Sequence, residues 1–240
     1  MERTVKRANG FTMIEMLFTA FIFTVIAGTV FALLLSSQMR YQSESDLTTA
    51  FQQANVAIDQ ITRDVHSAGY PPASSFSADQ VLYAPQNVAI PLAWSPGYPN
   101  LPCTVGTCAV PGAYDLILET DLGDGNGVQW IRYSLVGTTL MRGVTRKTNG
   151  DPASSTDPST GLLTPYLDSV MNGPGNKSIP IFSYTPDRNA NGLSPSSYPP
   201  SSIREVNICL IVQSSKTDPQ TGQFRSITLT GQAVRFNPNK

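Results

Sequence analysis

The feature that most constrains this chain is an apolar segment close to its N-terminus. Residues 11–35 form a run of 25 residues with a single charged side chain, Glu15. About 20 apolar helical residues span a bilayer, so this run is long enough to cross a membrane. Residues 1–10 carry three basic side chains, which predicts that they stay in the cytoplasm while the rest of the chain lies outside it.

The predicted helix continues beyond this apolar run. In its second half, residues 36–68, apolar side chains from Leu47 onward recur at alternating steps of four and three, and polar ones such as Asp64 lie between them. This spacing is typical of an amphipathic helix with one apolar stripe. Gly69 and the two prolines shortly after it end the pattern. We therefore expect one helix whose first half is surrounded by lipid or other helices and whose second half lies against its own domain.

Residues 69–240 form the predicted globular head. Their apolar residues alternate with a period of about two, which is typical of β-strands. We expect an α+β fold in which the long helix lies against an antiparallel β-sheet, with long Pro- and Gly-rich loops between strands. In the last predicted strand the apolar residues switch from odd positions, Ile227 and Leu229, to even ones, Val234 and Phe236. A β-bulge near Gly231 would place all of them on one face of the sheet. The predicted strands are residues 81–84, 114–119, 128–135, 139–143, 179–184, 203–213 and 224–236.

The chain contains 3 cysteines and 1 histidine. Cys103 and Cys108 lie close together in a Pro-rich segment, and an exported location predicts a disulfide between them. Cys209 falls in a strand-like run, where we expect a buried small apolar residue. A zinc site needs four ligands, and the sequence offers no second close pair to complete one.

Other candidate sites are weak. Asp121, Asp124 and Asn126 offer closely spaced oxygen ligands for calcium, but a glycine-rich hairpin turn explains the same residues better. His66 is expected to cap or pack at the C-terminus of the helix. No nucleophile with a partnered base can be assembled around it, so we expect neither catalysis nor a cofactor. A net charge of −1 with scattered basic residues also argues against general nucleic-acid binding.

Residues 10–15, GFTMIE, stand between a basic leader and an uninterrupted apolar helix. This arrangement resembles the class III signal of type IV prepilins and type II secretion pseudopilins. The resemblance implies that a prepilin peptidase cleaves between Gly10 and Phe11, that Phe11 is N-methylated, and that Glu15 serves assembly. Because a charge in mid-membrane costs about 3 kcal/mol, we expect Glu15 to have a partner, the Phe11 amine of a neighbouring subunit.

Further stretches resemble the PilW-like branch of minor pilins, whose nearest relative is pseudopilin J. The resemblance implies a subunit that primes assembly at or near the tip of a type IV pilus, together with other minor and major pilins and the inner-membrane assembly platform. The protein would cross the inner membrane once, with a periplasmic head, and would later belong to an extracellular pilus. The stretches are residues 63–70, 114–121, 131–135, 203–208 and 233–237.

Several alternatives stay open. A J-like type II secretion pseudopilin shares the same signal, and a tip adhesin or DNA-uptake minor pilin would be a binding module. A tethered hydrolase would need a nucleophile and base that the sequence does not identify. The apolar segment could instead be a signal peptide cleaved after Ala32, or a plain signal anchor. A separate alternative is that Glu15 simply reaches the cytoplasmic interface.

Overall fold

A computed structural model describes residues 11–89, 112–148, 163–186, 203–218 and 221–237. Gly10 and the Cys103 and Cys108 pair lie outside these residues, so the cleavage site is seen only from Phe11 onward and the disulfide stays a prediction. The described residues form a long helix, a short helix, two short 3-10 turns and seven strands in two antiparallel sheets. The expected α+β architecture, with a long N-terminal helix against antiparallel strands, is confirmed.

Helix α1 spans Met13–Ser67, which is 55 residues and about 82 Å at the usual rise of an α-helix. Thr12 is the N-cap residue, with an extended backbone. Gly69 follows the C-terminus with a φ of 82°, a conformation that residues with a side chain rarely adopt. The predicted helix, residues 11–68, is therefore confirmed to within two residues at each end.

The two halves of α1 differ in what covers them. The first half is exposed all round, whereas the second half buries one stripe against the strands. This stripe packs mainly on two strands, Ile203–Thr217 and Phe224–Val234, and also touches two others, Asp115–Asp121 and Thr164–Leu167. Its buried apolar residues are Ala54, Ala57, Ile58, Ile61, Val65 and, just past the helix, Ala68.

The first sheet has the strand order β1-β2-β3-β4. Three of its strands follow the sequence prediction closely, but β4 was not predicted, because four residues that include Pro165 show no clear alternation. The strands are β1 Asp115–Asp121, β2 Val128–Val136, β3 Thr139–Arg146 and β4 Thr164–Leu167.

The predicted strand at residues 81–84 is wrong. These residues end a short helix, α2, which spans Ala78–Tyr83. Ser77 caps its N-terminus: the Ser77 hydroxyl accepts from the Gln80 backbone N–H, and the Gln80 side chain accepts from the Ser77 backbone N–H. This capping box stabilises the first turn and outweighs the β-propensity of the two apolar residues that follow.

The second sheet has the strand order β5-β6-β7, and β6 is its long central strand. The side chains of Val206, Ile208, Leu210 and Val212 in β6 are buried, as one sheet face against a core requires. The strands are β5 Phe182–Pro186, β6 Ile203–Thr217 and β7 Phe224–Val234.

The predicted bulge near Gly231 is wrong. Pairing between β6 and β7 continues without a shift past Gly231, and the irregularity lies at the far end, between Gln213 and Thr217. Gly231 instead faces α1, where a Cβ atom would lie 2.5 Å from Cγ2 of Ile58. The glycine is needed for the close approach of the helix. The buried face keeps one parity through Leu229, Gly231 and Ala233, and Val234 lies on the other face of the strand.

Candidate functional site

The start of α1 carries the only charged group of its apolar half, Glu15. Its Oε2 accepts hydrogen bonds from the backbone N–H and from the hydroxyl of Thr12, both at 3.0 Å. In return the Glu15 N–H donates to Thr12 Oγ1 at 3.4 Å. This is a capping box, in which two residues at the helix start satisfy each other's free donors. Within one chain, therefore, Glu15 already has a local partner.

Phe11 precedes the cap and is 78% exposed. Among the described residues, α1 is the one helix long and apolar enough to cross a membrane, and its most apolar window is 0% buried. No part of the described head covers this surface. Large exposed apolar patches mark contacts with a membrane or with other proteins, so this half of the helix requires lipid or neighbouring helices around it.

Asp121 is the last residue of β1, and Asp124 and Asn126 lie in the turn between β1 and β2. Oδ1 of Asp124 accepts from the Asn126 N–H at 2.9 Å and from Gln129 Nε2 at 2.7 Å. These hydrogen bonds lower the pKa of Asp124 below its ordinary value, and the one from the Asn126 backbone has the largest effect. The carboxylate thus holds the turn in place. Within the described ranges, no group of three or more His, Cys, Asp or Glu is arranged to hold a metal ion.

The single histidine packs at the C-terminus of α1, as predicted. The rings of His66 and Phe236 lie 4.5 Å apart, and the His66 carbonyl accepts from the Phe236 N–H at 3.4 Å. Cys209 is only half-buried, which corrects the expectation of a fully buried residue: it lies on the outer face of β6. Burial nevertheless raises the pKa of its thiol.

Sequence reasoning missed a buried polar cluster that joins α1 to the first sheet. Oδ2 of Asp64 accepts from Tyr133 and, at 2.9 Å, from Arg142 Nη2, while Oδ1 accepts from Gln60 at 2.8 Å. Asp64 is 2% exposed and Tyr133 is fully buried. Burial, helped by the nearby Asp64 charge, raises the pKa of Tyr133. The cluster fixes the angle between helix and sheet. In the sequence, the only sign of this cluster was that the polar residue Asp64 lies beside the apolar stripe of the helix.

A second buried pair lies at the other end of the same sheet. Lys147 Nζ contacts Glu119 Oε2 at 2.7 Å and donates to the Val88 carbonyl at 2.8 Å. Oε1 of Glu119 accepts from the Trp130 indole at 2.8 Å. Both charged side chains are at most 1% exposed. The Lys147 ammonium and both Glu119 carboxylate oxygens have partners inside the protein. The pair is therefore structural, and a substrate cannot reach it.

Comparison with known proteins gives one match. The family described as the prokaryotic N-terminal methylation motif matches residues 5–31, which include Gly10, Phe11 and Glu15. No curated protein and no solved structure matches the chain. The motif supports a type IV pilin-like or pseudopilin-like protein that a prepilin peptidase processes and that is anchored in a membrane before it assembles with other pilins. It favours a structural role over a catalytic one, and the PilW-like resemblance gains no support from it.

Proposed function

We propose that this chain is a minor pilin that helps to prime a type IV pilus and is positioned at or near its tip. The observation that carries this proposal is the placement of Glu15, inside the matched methylation motif and at the start of a helix half that nothing else in the described chain covers. Its partners would be a prepilin peptidase, the inner-membrane assembly platform, and other minor and major pilins. Before assembly the head would lie in the periplasm.

The uncovered half of α1 supports assembly into a filament. Burial of one large apolar side chain stabilises by about 1.5–3 kcal/mol, so a helix with this many exposed apolar residues is stable only in lipid or among other helices. Lipid serves the membrane-anchored subunit, and helices of other subunits replace lipid when it leaves the membrane. The exposed apolar residues include Phe18, Phe21, Phe23, Phe31 and Leu33.

Glu15 supports the same conclusion through its charge. A capping box needs only a side-chain acceptor, and glutamine serves as well as glutamate. Capping therefore does not explain why this residue is a glutamate and carries a charge. A charge in an apolar membrane segment costs free energy, so we expect it to have another function. Cleavage after Gly10 would place a positive amine on Phe11, beside the positive end of the helix dipole. The carboxylate of one subunit would then neutralise the amine of the next.

The proposed tip position rests on the head. Residues 69–240 include three stretches rich in Pro, Gly, Ser and Asn, residues 85–111, 149–158 and 186–202, which the sequence predicts to be surface loops. Such a head suits a terminal or rare position better than dense packing along a shaft. Immunogold labelling of sheared pili tests this: label at one end supports the proposal, and label along the whole shaft contradicts it. A type II secretion pseudopilin would instead be missing from pili.

Processing is tested first by mass spectrometry of the mature N-terminus. We expect a chain that starts at Phe11 and carries one methyl group. A chain that starts at Leu33, directly after Ala32, would mean an ordinary signal peptide and would end the pilin proposal.

The role of Glu15 is tested with variants that separate charge from capping. Glu15→Gln keeps the capping box and loses the charge, whereas Thr12→Ala loses the cap and keeps the charge. We expect Glu15→Gln to be inserted and processed but missing from sheared filaments, because an unpaired buried amine costs about 3–5 kcal/mol. Thr12→Ala should assemble, since a lost cap costs only about 0.5–2 kcal/mol.

Glu44→Ala is the matched control for these variants. Glu44 is an exposed glutamate on the same helix but in its amphipathic half, and we expect its loss to leave assembly unchanged. If Glu15→Gln assembles at the wild-type level while Thr12→Ala fails, then Glu15 acts as a cap and the inter-subunit pair does not exist.

A further inference from the structure

The outer edge of strand β7 is open. Among the described residues β7 is the last strand of its sheet and pairs only with β6, and this pairing runs without a shift over residues 226–234. At one end the Arg225 N–H donates to the Ser214 hydroxyl at 3.1 Å. At the other end the Arg235 N–H donates to the Arg204 carbonyl at 3.1 Å. The backbone groups at odd positions therefore face β6 and those at even positions face away from it, because successive residues of an antiparallel pair alternate in this way.

This edge lacks the features with which proteins usually prevent a sheet from pairing with another chain. Such features are charged side chains, proline, β-bulges and very short strands. Strand β7 is 11 residues long, and residues 226–234 contain neither a charged residue nor a proline. Its exposed even positions are Ser226, Thr228, Thr230 and Gln232. The edge is thus a template on which a further strand can form backbone hydrogen bonds.

Helix α1 runs beside this edge. Ile58 of the helix faces Gly231 of β7. Farther along the helix, the ring of His66 lies 4.5 Å from that of Phe236, just beyond the strand. The helix and β7 therefore run in the same direction. Asp64, on the other flank of the helix, contacts the first sheet instead.

Phe51 is an exposed aromatic residue on the flank of α1 that adjoins β7. It lies about two helical turns before Ile58 and therefore on the same flank. The helix rises about 10 Å between them, which places Phe51 about three strand residues before Gly231. Phe51 is 43% exposed. A strand added to β7 would pass beside this ring, and an apolar side chain on its helix-facing side would cover it.

Strand β7 of a second copy does not fit this edge. In an antiparallel pair the two copies would point their α1 helices in opposite directions, whereas subunits anchored in one membrane have parallel helices. In a parallel pair the helices agree, but the second copy is turned over. Its outer-face hydroxyls, those of Thr228 and Thr230, would then face Phe51. An aromatic ring gains from burial against apolar groups, which this arrangement does not supply.

The other edge strands of a second copy are occupied or short. At β1 the Asp121 N–H donates to the Tyr70 carbonyl at 2.8 Å. At β5 the Phe182 N–H donates to the Ala113 carbonyl at 3.0 Å. Strand β4 has only four residues and includes Pro165. Within the part of the chain that the structure describes, no strand of a second copy therefore matches the open edge.

We propose that the β7 edge accepts an extended segment from the head of a different subunit of the same filament. Backbone hydrogen bonds to the even positions of β7 hold the segment, and an apolar side chain on its helix-facing side covers Phe51. The inference rests on the proposed function and names the kind of partner involved. That partner is another pilin-like subunit, one of whose strands, with alternating apolar and polar side chains, extends this sheet.

The first test measures binding of a labelled peptide to the full chain in detergent micelles by fluorescence polarisation. The probe alternates Thr and Val over the length of the open edge and carries Lys at both ends, and empty micelles give the background. Two matched probes are N-methylated, one at the Thr amides and the other at the Val amides. These two sets of amides face opposite sides of an extended strand, so only one set can meet β7. We expect one methylated probe to bind about tenfold more weakly and the other to bind like the unmodified probe.

Variants of the chain test the edge and the helix flank separately. Thr230→Pro removes an outward N–H, a change that edge strands tolerate, and should weaken binding about tenfold. Phe51→Ala should also weaken it about tenfold, because a docked strand covers the exposed part of the ring. Val56→Ala is the matched control, since Val56 is exposed on another side of the helix. Thermal unfolding checks that Thr230→Pro stays folded; if it does not, the methylated probes and Phe51→Ala decide the question.

The second test identifies the partner in cells. A photo-crosslinking benzoylphenylalanine replaces Gln232, and the crosslinked peptides are sequenced by mass spectrometry. The same replacement at Leu122, exposed on the turn after β1, is the control. We expect the Gln232 position to crosslink to the head of another protein that carries the N-terminal methylation motif, within an alternating segment, and the Leu122 position to give no such product.

Several results would overturn the proposal. If the unmodified probe does not bind, or both methylated probes bind as tightly as it does, no strand adds to β7. Equal binding by Phe51→Ala and the wild type contradicts a strand beside α1. A crosslink between two copies of this chain, or none in a chain that reaches the filament, contradicts the stated partner. A mature chain that starts at Leu33 contradicts the proposed function itself, whereas absent probe binding contradicts this inference alone.

Discussion

Replacing Gly231 with alanine would push a methyl group into the contact between β7 and α1. A Cβ atom at this position lies 2.5 Å from Cγ2 of Ile58, closer than two carbon atoms can approach. Cγ2 is attached to Cβ of a β-branched residue, whose χ1 angle is strongly restricted in a helix. The methyl group of Ile58 therefore cannot swing aside, and either the helix or the strand has to move.

The expected loss of stability is the difference between two terms. An extra carbon forced into a well-packed contact costs about 1–3 kcal/mol. Alanine also limits the unfolded chain more than glycine does, which stabilises the fold by about 0.5–1 kcal/mol. Because Ile58 cannot swing aside, the first term lies in the upper part of its range, about 2–3 kcal/mol. We therefore expect Gly231→Ala to lower the free energy of unfolding by about 1–2.5 kcal/mol.

A rescue variant and a matched control make this test specific. Ile58→Leu moves the branch away from Cβ, so it should cost little alone and recover most of the loss in the double variant. Gly173→Ala also meets a neighbour, Leu135 Cδ2 at 3.1 Å, but that atom ends a flexible side chain and can rotate away. Its effect should stay within about 0.5 kcal/mol.

The measurement is urea unfolding of the full chain in detergent micelles, followed through the fluorescence of the buried Trp130. Equal midpoints for the wild type and Gly231→Ala would refute the argument. So would a double variant whose loss equals the sum of the two single losses, because the clash would then not involve Ile58.

Two further predictions concern the buried polar groups. Lys147→Met should lower the free energy of unfolding by about 3–5 kcal/mol, because it removes the buried ion pair that Lys147 Nζ forms with Glu119 Oε2; adding Glu119→Gln should recover part of this loss in the same urea assay. Burial and the Asp64 charge raise the pKa of Tyr133 above its ordinary value of 10.0, so its contribution to stability is complete below pH 10 and is lost as the pH rises further. Above about pH 10, each buried tyrosine of this kind lowers the free energy of unfolding by up to about 1.4 kcal/mol per pH unit. Tyr133→Phe should therefore make the decrease in the free energy of unfolding with pH less steep by up to that amount. If the free energy of unfolding fell equally steeply in Tyr133→Phe and in the wild type between pH 10 and 12, this prediction would be contradicted.

The long helix shows how much of the structure can be predicted from a local sequence pattern. Its apolar half, its amphipathic half and its end at Gly69 were all predicted, because each is encoded by neighbours within a few residues. The same holds for the strong alternation of β6. Where the local signal was short, prediction failed: β4 has only four residues, and residues 81–84 follow a capping box that the strand pattern concealed.

The candidate assembly residues divide in the same way. Phe11 and Glu15 were predicted because they lie only four residues apart, directly after a basic segment and at the start of an apolar one. That Glu15 also closes a capping box with Thr12 became clear only from side-chain geometry. This capping contact makes Glu15→Gln a sharper test of the proposed assembly role than Glu15→Ala, since glutamine preserves the cap.

By itself, the sequence determined that a membrane-length helix leads into a β-rich head and that its start carries a prepilin-like signal. Only the tertiary structure decided the roles of Gly231 and Asp64. The physical reason is distance along the chain. Asp64 meets Tyr133 across 69 positions, and Ser215 meets Asp46 across 169. Such contacts depend on how the helix and the sheets pack together, and no local pattern of residue types specifies that packing.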